Sequence, residues 1–224
     1  AIEDGELWKV PVTFGPKPED LPEFLAETAR TGKYGVQLPF VTIDKTRGQI
    51  VGSTRFMRIE VDHRRTEIGY TFLSASAQRT HVNTEAKYLM LKHAFEVWGL
   101  NRVELLTDFL NEKSRAAIAR IGAQQEGILR SHMVMRDGRI RDTVIFGMTA
   151  ADWPERKAAL ERKLWIYPGE ELRLAGCAPW PPGCRASRRG PWGPRFSRPP
   201  PRAGRWSSPW SRAGRACAPL AWRP

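Results

Sequence analysis

A mixed α/β domain built on an open sheet is the fold class this chain predicts, and three observations carry it. Helix-period and strand-period segments alternate along the first three quarters of the chain. A two-residue hairpin signal, Asp137-Gly138, sits between two β-rich runs near the end of that region. The composition then changes so sharply at residue 173 that only residues 1–172 have the vocabulary to build a core. A domain of that size holds one core comfortably.

The elements follow in order. Residues 18–31 predict a helix with Leu21, Phe24, Leu25 and Ala29 on one face and Gly32 as its stop. Residues 35–44 and 49–62 predict a strand pair joined through Lys45-Thr46-Arg47-Gly48, and residues 63–65 turn into a third strand over 66–73. A polar loop follows, then a helix opening Thr84-Glu85-Ala86-Lys87, whose apolar positions Ala86, Leu89, Met90, Ala94, Val97 and Trp98 keep the spacing of one helical face. Beyond it lie a strand over 102–107, a helix over 112–121, hairpin strands near 125–136 and 140–148, and a last helix over 154–165 with Pro154 in its first turn. No internal repeat is present.

Residues 173–224 hold 11 of the 36 basic residues and none of the 24 acidic ones, so residues 1–172 are nearly neutral and the net charge of +12 belongs almost wholly to this tail. Its vocabulary is Arg, Pro, Ala, Gly, Ser, Trp and Cys with a few Leu and one Phe, which predicts disorder. An Arg- and Trp-rich arm can bind nucleic acid through phosphate contacts and stacking. The same vocabulary is what GC-rich DNA read in a wrong frame would encode, and this is the preferred reading. All three cysteines, Cys177, Cys184 and Cys217, fall in the tail, so the domain has no disulfide framework and no cysteine metal site. No apolar run approaches the ~18 residues of a membrane span and no signal peptide is visible, so a soluble cytoplasmic protein is expected.

The chemistry concentrates where the third strand ends. A strand, a short loop and a helix start present unpaired backbone N–H groups and the positive end of a helix dipole, which favour phosphate or pyrophosphate. Asn83 is read as the N-cap, with Arg79 and Lys87 adding positive charge. From residues alone the ligand is an unspecified anion.

The pieces Glu67-Ile68-Gly69-Tyr70, Gln78 to Lys87, Arg102-Val103-Glu104-Leu105, Asn111 with Ser114, Ile121-Gly122-Ala123 and Glu126-Gly127 stand in the order and spacing of a known family. The run from Glu67 to Trp153 resembles the GNAT acetyltransferase superfamily, in particular its Rim-type branch acting on ribosomal-protein N-termini. The family's pyrophosphate loop reads Arg/Gln-x-x-Gly-x-Gly/Ala; Gln78 fits its first position, while His81 and Asn83 stand where the glycines would be.

The resemblance implies a mostly antiparallel sheet whose central strands splay apart, with flanking helices. It implies acetyl-CoA as co-substrate and direct attack by an amine in a ternary complex, the acceptor being a protein N-terminus or a small amine. Phe72, Leu73 and Ser74 would hold the pantetheine arm; Gln78, Arg79, Thr80, His81, Val82, Asn83 and Thr84 would take the pyrophosphate. Asn111 would face the cofactor or simply cap its helix. Relatives begin with a strand before Ala1, which itself reads as the end of a helix, so that strand is expected to be missing. A catalytically idle acyl-CoA-binding domain is the alternative, nucleic-acid binding through the tail the third; nucleic acid is the less favoured partner, and a monomer or homodimer is expected.

Glu67 is the leading proton acceptor, with a salt bridge to an arginine such as Arg55 as its plain structural role and Glu60 and Asp62 as competitors. An α-amine near pKa ~8 needs roughly 1.4 kcal/mol to lose its proton at pH 7, a lysine near ~10.4 roughly 4–5 kcal/mol, so the demand on a base depends on the acceptor. Many members of the resembled family use a Tyr on this helix as the acid; residues 112–122 contain none, which leaves the acid role open, with Ser114 either a donor to the leaving thiolate or simply a cap of the first turn. Glu85 is read as a dipole or Arg79 partner, Tyr70 and Phe72 as core or cleft wall. The four histidines form no metal pair, and His132 is the one to test. No metal site is expected.

Overall fold

The computed structural model describes residues 1–12, 15–33 and 37–164, and the backbone of 172–175. Seven strands form one sheet: β1 (Gln37–Asp44), β2 (Gln49–Glu60), β3 (Arg65–Leu73), β4 (Arg102–Asp108), β5 (Gln124–Val134), β6 (Ile140–Thr149) and β7 (Leu172–Ala175), in the order β5-β6-β4-β3-β2-β1-β7. Every neighbouring pair is antiparallel except β3 with β4. The helices are α1 (Leu21–Lys33), α2 (Val82–Lys92), α3 (Glu112–Arg120) and α4 (Trp153–Leu164). Among the described residues no helix is long and apolar enough to cross a membrane.

The apolar alternation of the strands puts Phe56, Ile68, Val103, Leu105, Val144, Phe146 and Met148 on one face, where Met90 and Leu91 of α2, Ile118 of α3 and Leu160 of α4 close over them. Phe56 is the hub, edge-on to Phe40 at 5.8 Å and tilted against Trp98 at 4.6 Å. After Lys92 the helix widens into a π turn, His93–Val97, with Trp98 N–H reaching His93 O at 3.0 Å. The wider turn keeps Ala94, Phe95 and Trp98 inside and carries Val97 out, 68% exposed, against the expectation from a constant helical period. α1 is likewise less buried than its pattern suggests. Among its described side chains Thr28 is the buried one, Phe24 is half-buried, and Leu25 and Ala29 face solvent.

Turn chemistry behaves as its residues require. Gly138 takes φ +80 between β5 and β6, and Met135 N–H bonds Arg139 O at 2.8 Å across the turn. Asn111 caps α3, its Oδ1 accepting from Ser114 N–H at 3.0 Å. The opening residues, expected to be a helix end, form turns and a 3-10 helix at Leu7–Lys9. Asp4 accepts from Ser76 Oγ at 2.6 Å there, beside the end of β3. Strand β7 pairs Leu172–Ala175 with Asp44–Val41, so ordered pairing runs three residues past the compositional boundary. The remainder of the tail, with its three cysteines, lies outside the described residues.

Candidate functional site

β3 and β4 pair from Arg65/Arg102 to Glu67/Glu104 and no further, although β3 continues to Leu73 and β4 to Asp108. The two central strands therefore fork, as expected, and the β4-facing backbone of β3 beyond Glu67 has no strand against it. On its other edge β3 stays paired with β2 as far as Leu73.

Two β-bulges shape this fork. Opposite Thr54, β3 carries both Tyr70 and Thr71, with Tyr70 at φ +48. Opposite Thr66, β2 carries both Arg58 and Ile59, with Arg58 at φ +46. The first bulge puts Thr71 beside Thr54 on the α2 face and leaves Tyr70 on the opposite face, 42% exposed, its ring centroid 4.3 Å from the Arg55 guanidinium. Tyr70 is thus cleft wall rather than core. The second swings Arg58 toward Glu67, Nη2 to Oε2 at 2.9 Å, so the ion-pair partner is Arg58 and not Arg55.

Glu67 is 4% exposed at the throat of the fork. Burial pushes its carboxyl above the ordinary range, the Arg58 guanidinium pulls it back, Glu104 adds to the rise and Arg141 opposes it. Its Oε2 is close to Arg58 but makes no aligned hydrogen bond, and so keeps acceptor capacity. Gly69 secures the position: a Cβ there would lie 2.9 Å from Met57 Cε and 3.0 Å from Glu67 Oε1. The competitor Glu60 is engaged elsewhere, held by both nitrogens of the Arg65 fork at 2.9 Å.

The strand end leads into the loop expected to take an anion. Ser74 is buried, its N–H donating to Val51 O at 2.8 Å, and Leu73 packs with Val51, Ala77, Val82 and Ala86. Gln78 Nε2 donates to Leu73 O at 3.0 Å and Thr80 Oγ1 to Ala77 O at 2.7 Å, which closes the turn. Helix α2 starts earlier than its polar residues suggest. Its first residue is Val82 and its N-cap position is His81, so Asn83 is not the cap but lies inside the first turn. His81 has helical dihedrals, φ −68 and ψ −21, and the left-handed residue of the loop is Arg79 at φ +61. The two positions where the resembled motif has glycine therefore need no left-handed backbone here. Arg79 is exposed at the helix N-terminus, and the buried Asn83 Oδ1 has no hydrogen-bond partner. Val82 and Thr84 are buried, so what they can offer a ligand is backbone.

Lys87, expected to add charge to this loop, does not face it. It is 5% exposed and donates to Thr54 Oγ1 at 2.9 Å and Thr71 Oγ1 at 2.6 Å on the sheet beneath α2; burial pushes its pKa down to about 7. Ser114 stands half-buried in the first turn of α3, and His132 Nδ1 lies 3.0 Å from Thr143 Oγ1 on the neighbouring strand. Gln37 and Arg141 had no role in the sequence reading, yet the sheet brings Gln37 to Arg55 and Arg141 to Glu67, and Phe24 of α1, read only as an apolar face residue, lies 5.3 Å from the Arg55 guanidinium. Their signal is an inward position in a strand or helix, faint without knowing which face is a cleft.

A forked sheet followed by a strand–turn–helix unit is the architecture of one acyltransferase class, and known proteins of that class resemble this chain. The acetyltransferase (GNAT) domain model matches residues 2–124, and the chain belongs to this family. It is 30% identical over 110 residues to YdaF of Bacillus subtilis, named provisionally as a ribosomal N-acetyltransferase; the match covers 49% of this chain and 59% of YdaF. The chain thus spans less than two thirds of the length of that relative. A GCN5-related N-acetyltransferase from Brucella melitensis superposes with a TM-score of 0.63 at 34% identity, covering 70% of each chain. RimJ of Mycobacterium smegmatis, solved with CoA-disulfide, shares the fold with a TM-score of 0.60 at 24% identity, covering 71% of this chain and 79% of RimJ.

Proposed function

We propose that this chain transfers an acetyl group from acetyl-CoA to a primary amine, a protein N-terminus or a small amine, by direct attack in a ternary complex. The observation that carries the reading is the fork: β3 and β4 part after Glu67/Glu104 beside the anion loop. The free edge of β3 at Phe72–Ser74 suits a pantetheine arm, whose amides bond like a strand. Arg79, the Gln78–Thr84 backbone and the helix N-terminus suit the pyrophosphate. Bound there, acetyl-CoA supplies the thioester.

Glu67 accepts the amine's proton. A carboxyl raised by burial and still short of an aligned partner is a better base than an exposed one. Ser114 donates to the departing thiolate, and Asn111 serves chiefly as the cap that fixes that helix turn. The similarity to YdaF favours a protein N-terminus as acceptor. The idle acyl-CoA-binding alternative rested on the missing loop glycines, and helical backbone at His81 and Asn83 removes that motive.

The test is acetyl-CoA binding followed by CoA release. Ligand at 100 times Kd raises stability by about 2.7 kcal/mol, a clear shift in melting temperature for the full chain. A panel of amines and N-terminal peptides then reads turnover, and Glu67→Gln should lower kcat. No thermal shift at millimolar acetyl-CoA would overturn the reading.

A further inference from the structure

Arg55 is a buried cation with an unfinished hydrogen-bond set. It is 4% exposed, on the sheet face opposite its neighbours Thr54 and Phe56. Its Nη1 donates to Gln37 Oε1 at 2.9 Å, and the Tyr70 and Phe24 rings lie 4.3 and 5.3 Å from its guanidinium carbon. Nε and Nη2 are buried and have no hydrogen-bond partner. Among the described residues no carboxylate neutralises it; the ionisable group that acts on it is Tyr70. Buried donors are nearly always satisfied in a working protein, so two on one side chain mark a place for an acceptor.

The chemistry of that acceptor follows from which nitrogens remain. Nε–H and one Nη2–H lie along the same edge of the guanidinium, the fork that meets both oxygens of one carboxylate. The place is also specific. In register Arg55 stands opposite Gly69, and Met57 opposite Glu67, so the guanidinium sits two residues along from the carboxylate at the throat of the fork. Two other cations on this face already act on Glu67: Arg58 pairs with it, and Arg141 feels both Asp108 and Glu67.

We propose that Arg55 is a specificity-determining residue that reads a carboxylate on the acceptor, so that the acceptor is an amine carrying an acid group close to the nitrogen. The half-exposed Tyr70 ring lies against this guanidinium. The proposal rests on the acetyl-transfer reading for its context but names a property that reading lacks. Two sources share this chemistry, the α-carboxylate of a free amino acid and the side chain of an acidic N-terminal residue.

The experiment uses the full chain and matched pairs: amino acids against their amides, and peptides beginning with Asp or Glu against those beginning with Asn or Gln. Acid members are expected to exceed amide members about tenfold to a hundredfold in kcat/KM, chiefly through KM. Which pair shows the preference identifies the source. In Arg55→Met, and in Arg55→Lys, which keeps charge and stem but loses the fork, the ratio should fall toward one. No preference in the wild type, or a ratio unchanged in folded variants, overturns the proposal.

A second readout does not need turnover. The N-acetylated acid should raise the melting temperature of the wild type and leave that of Arg55→Lys unmoved, while the N-acetylated amide moves neither. Acid binding without any response to acetyl-CoA would sink the acetyl-transfer reading and leave Arg55 its role. Turnover with acid and amide alike would sink the Arg55 proposal alone.

Discussion

Replacing Lys87 by Met should stabilise this protein at low pH and remove part of its pH dependence. The Lys87 ammonium is enclosed between α2 and the sheet, with Thr54 and Thr71 hydroxyls as its partners and its pKa pushed down from 10.5 to about 7. A depression of that size corresponds to on the order of 5 kcal/mol between the two protonation states. In the unfolded chain the lysine keeps its proton until about pH 10.4. Between about pH 7 and 10 the unfolded state therefore binds more protons than the folded one, and stability rises with pH across that window. Below about pH 7 both states are protonated, the slope vanishes and the full desolvation penalty is present.

Met carries no charge and fills a similar volume. The threonine hydroxyls, 2.8 Å apart, still bond one another, so the loss is the two bonds from Nζ, worth roughly 1 kcal/mol each. Lys87→Met should thus be about 3 kcal/mol more stable than wild type at pH 6, and the advantage should shrink to near zero by pH 9. Urea melts of both proteins at pH 6, 7.5 and 9 measure the difference directly. Two stability profiles that run parallel across that range would refute a buried, deprotonating Lys87.

Three further outcomes are expected. Arg79→Ala should weaken acetyl-CoA binding by about 1.5–3 kcal/mol with the melting temperature of the free protein unchanged, because a charge-assisted contact is lost at an exposed residue; isothermal titration reads it. Asn111→Ala removes the acceptor for Ser114 N–H and should cost about 1 kcal/mol in a urea melt, with Asn111→Asp close to wild type. Gly69→Ala forces Met57 or Glu67 to shift, since the added carbon lies 2.9–3.0 Å from both. It should cost about 1–3 kcal/mol and reduce kcat together with stability; a variant as stable and active as wild type would mean the throat is looser than described.

Much of this molecule is legible in local pattern. Strand periodicity located all the strands from Gln37 to Thr149, Asp137-Gly138 located the hairpin, and Asn111 three residues before Ser114 located a helix cap. These signals work because each depends on residues a few positions apart: side-chain alternation, a turn's need for positive φ, a cap's reach to N3. The spaced motifs from Glu67 to Glu126 likewise carried the family, and the fork implied by it is present at Glu67/Glu104.

What the sequence alone left open was decided by contacts between strands and helices distant in the chain. The bulges at Tyr70 and Arg58 exist only as register shifts against a partner strand, and each reassigns which side chains meet: Arg58 rather than Arg55 with Glu67, Thr71 rather than Tyr70 with Thr54. Lys87 reads as positive charge for the anion loop until the sheet beneath it is known, and Val97 reads as core until a π turn rotates it out. Leu172–Ala175 becomes a strand because β1 offers an open edge, not because Leu-Arg-Leu-Ala is a strong strand sequence. A local pattern states what a residue can do, while the face it shares is set by partners that only the folded chain brings within reach.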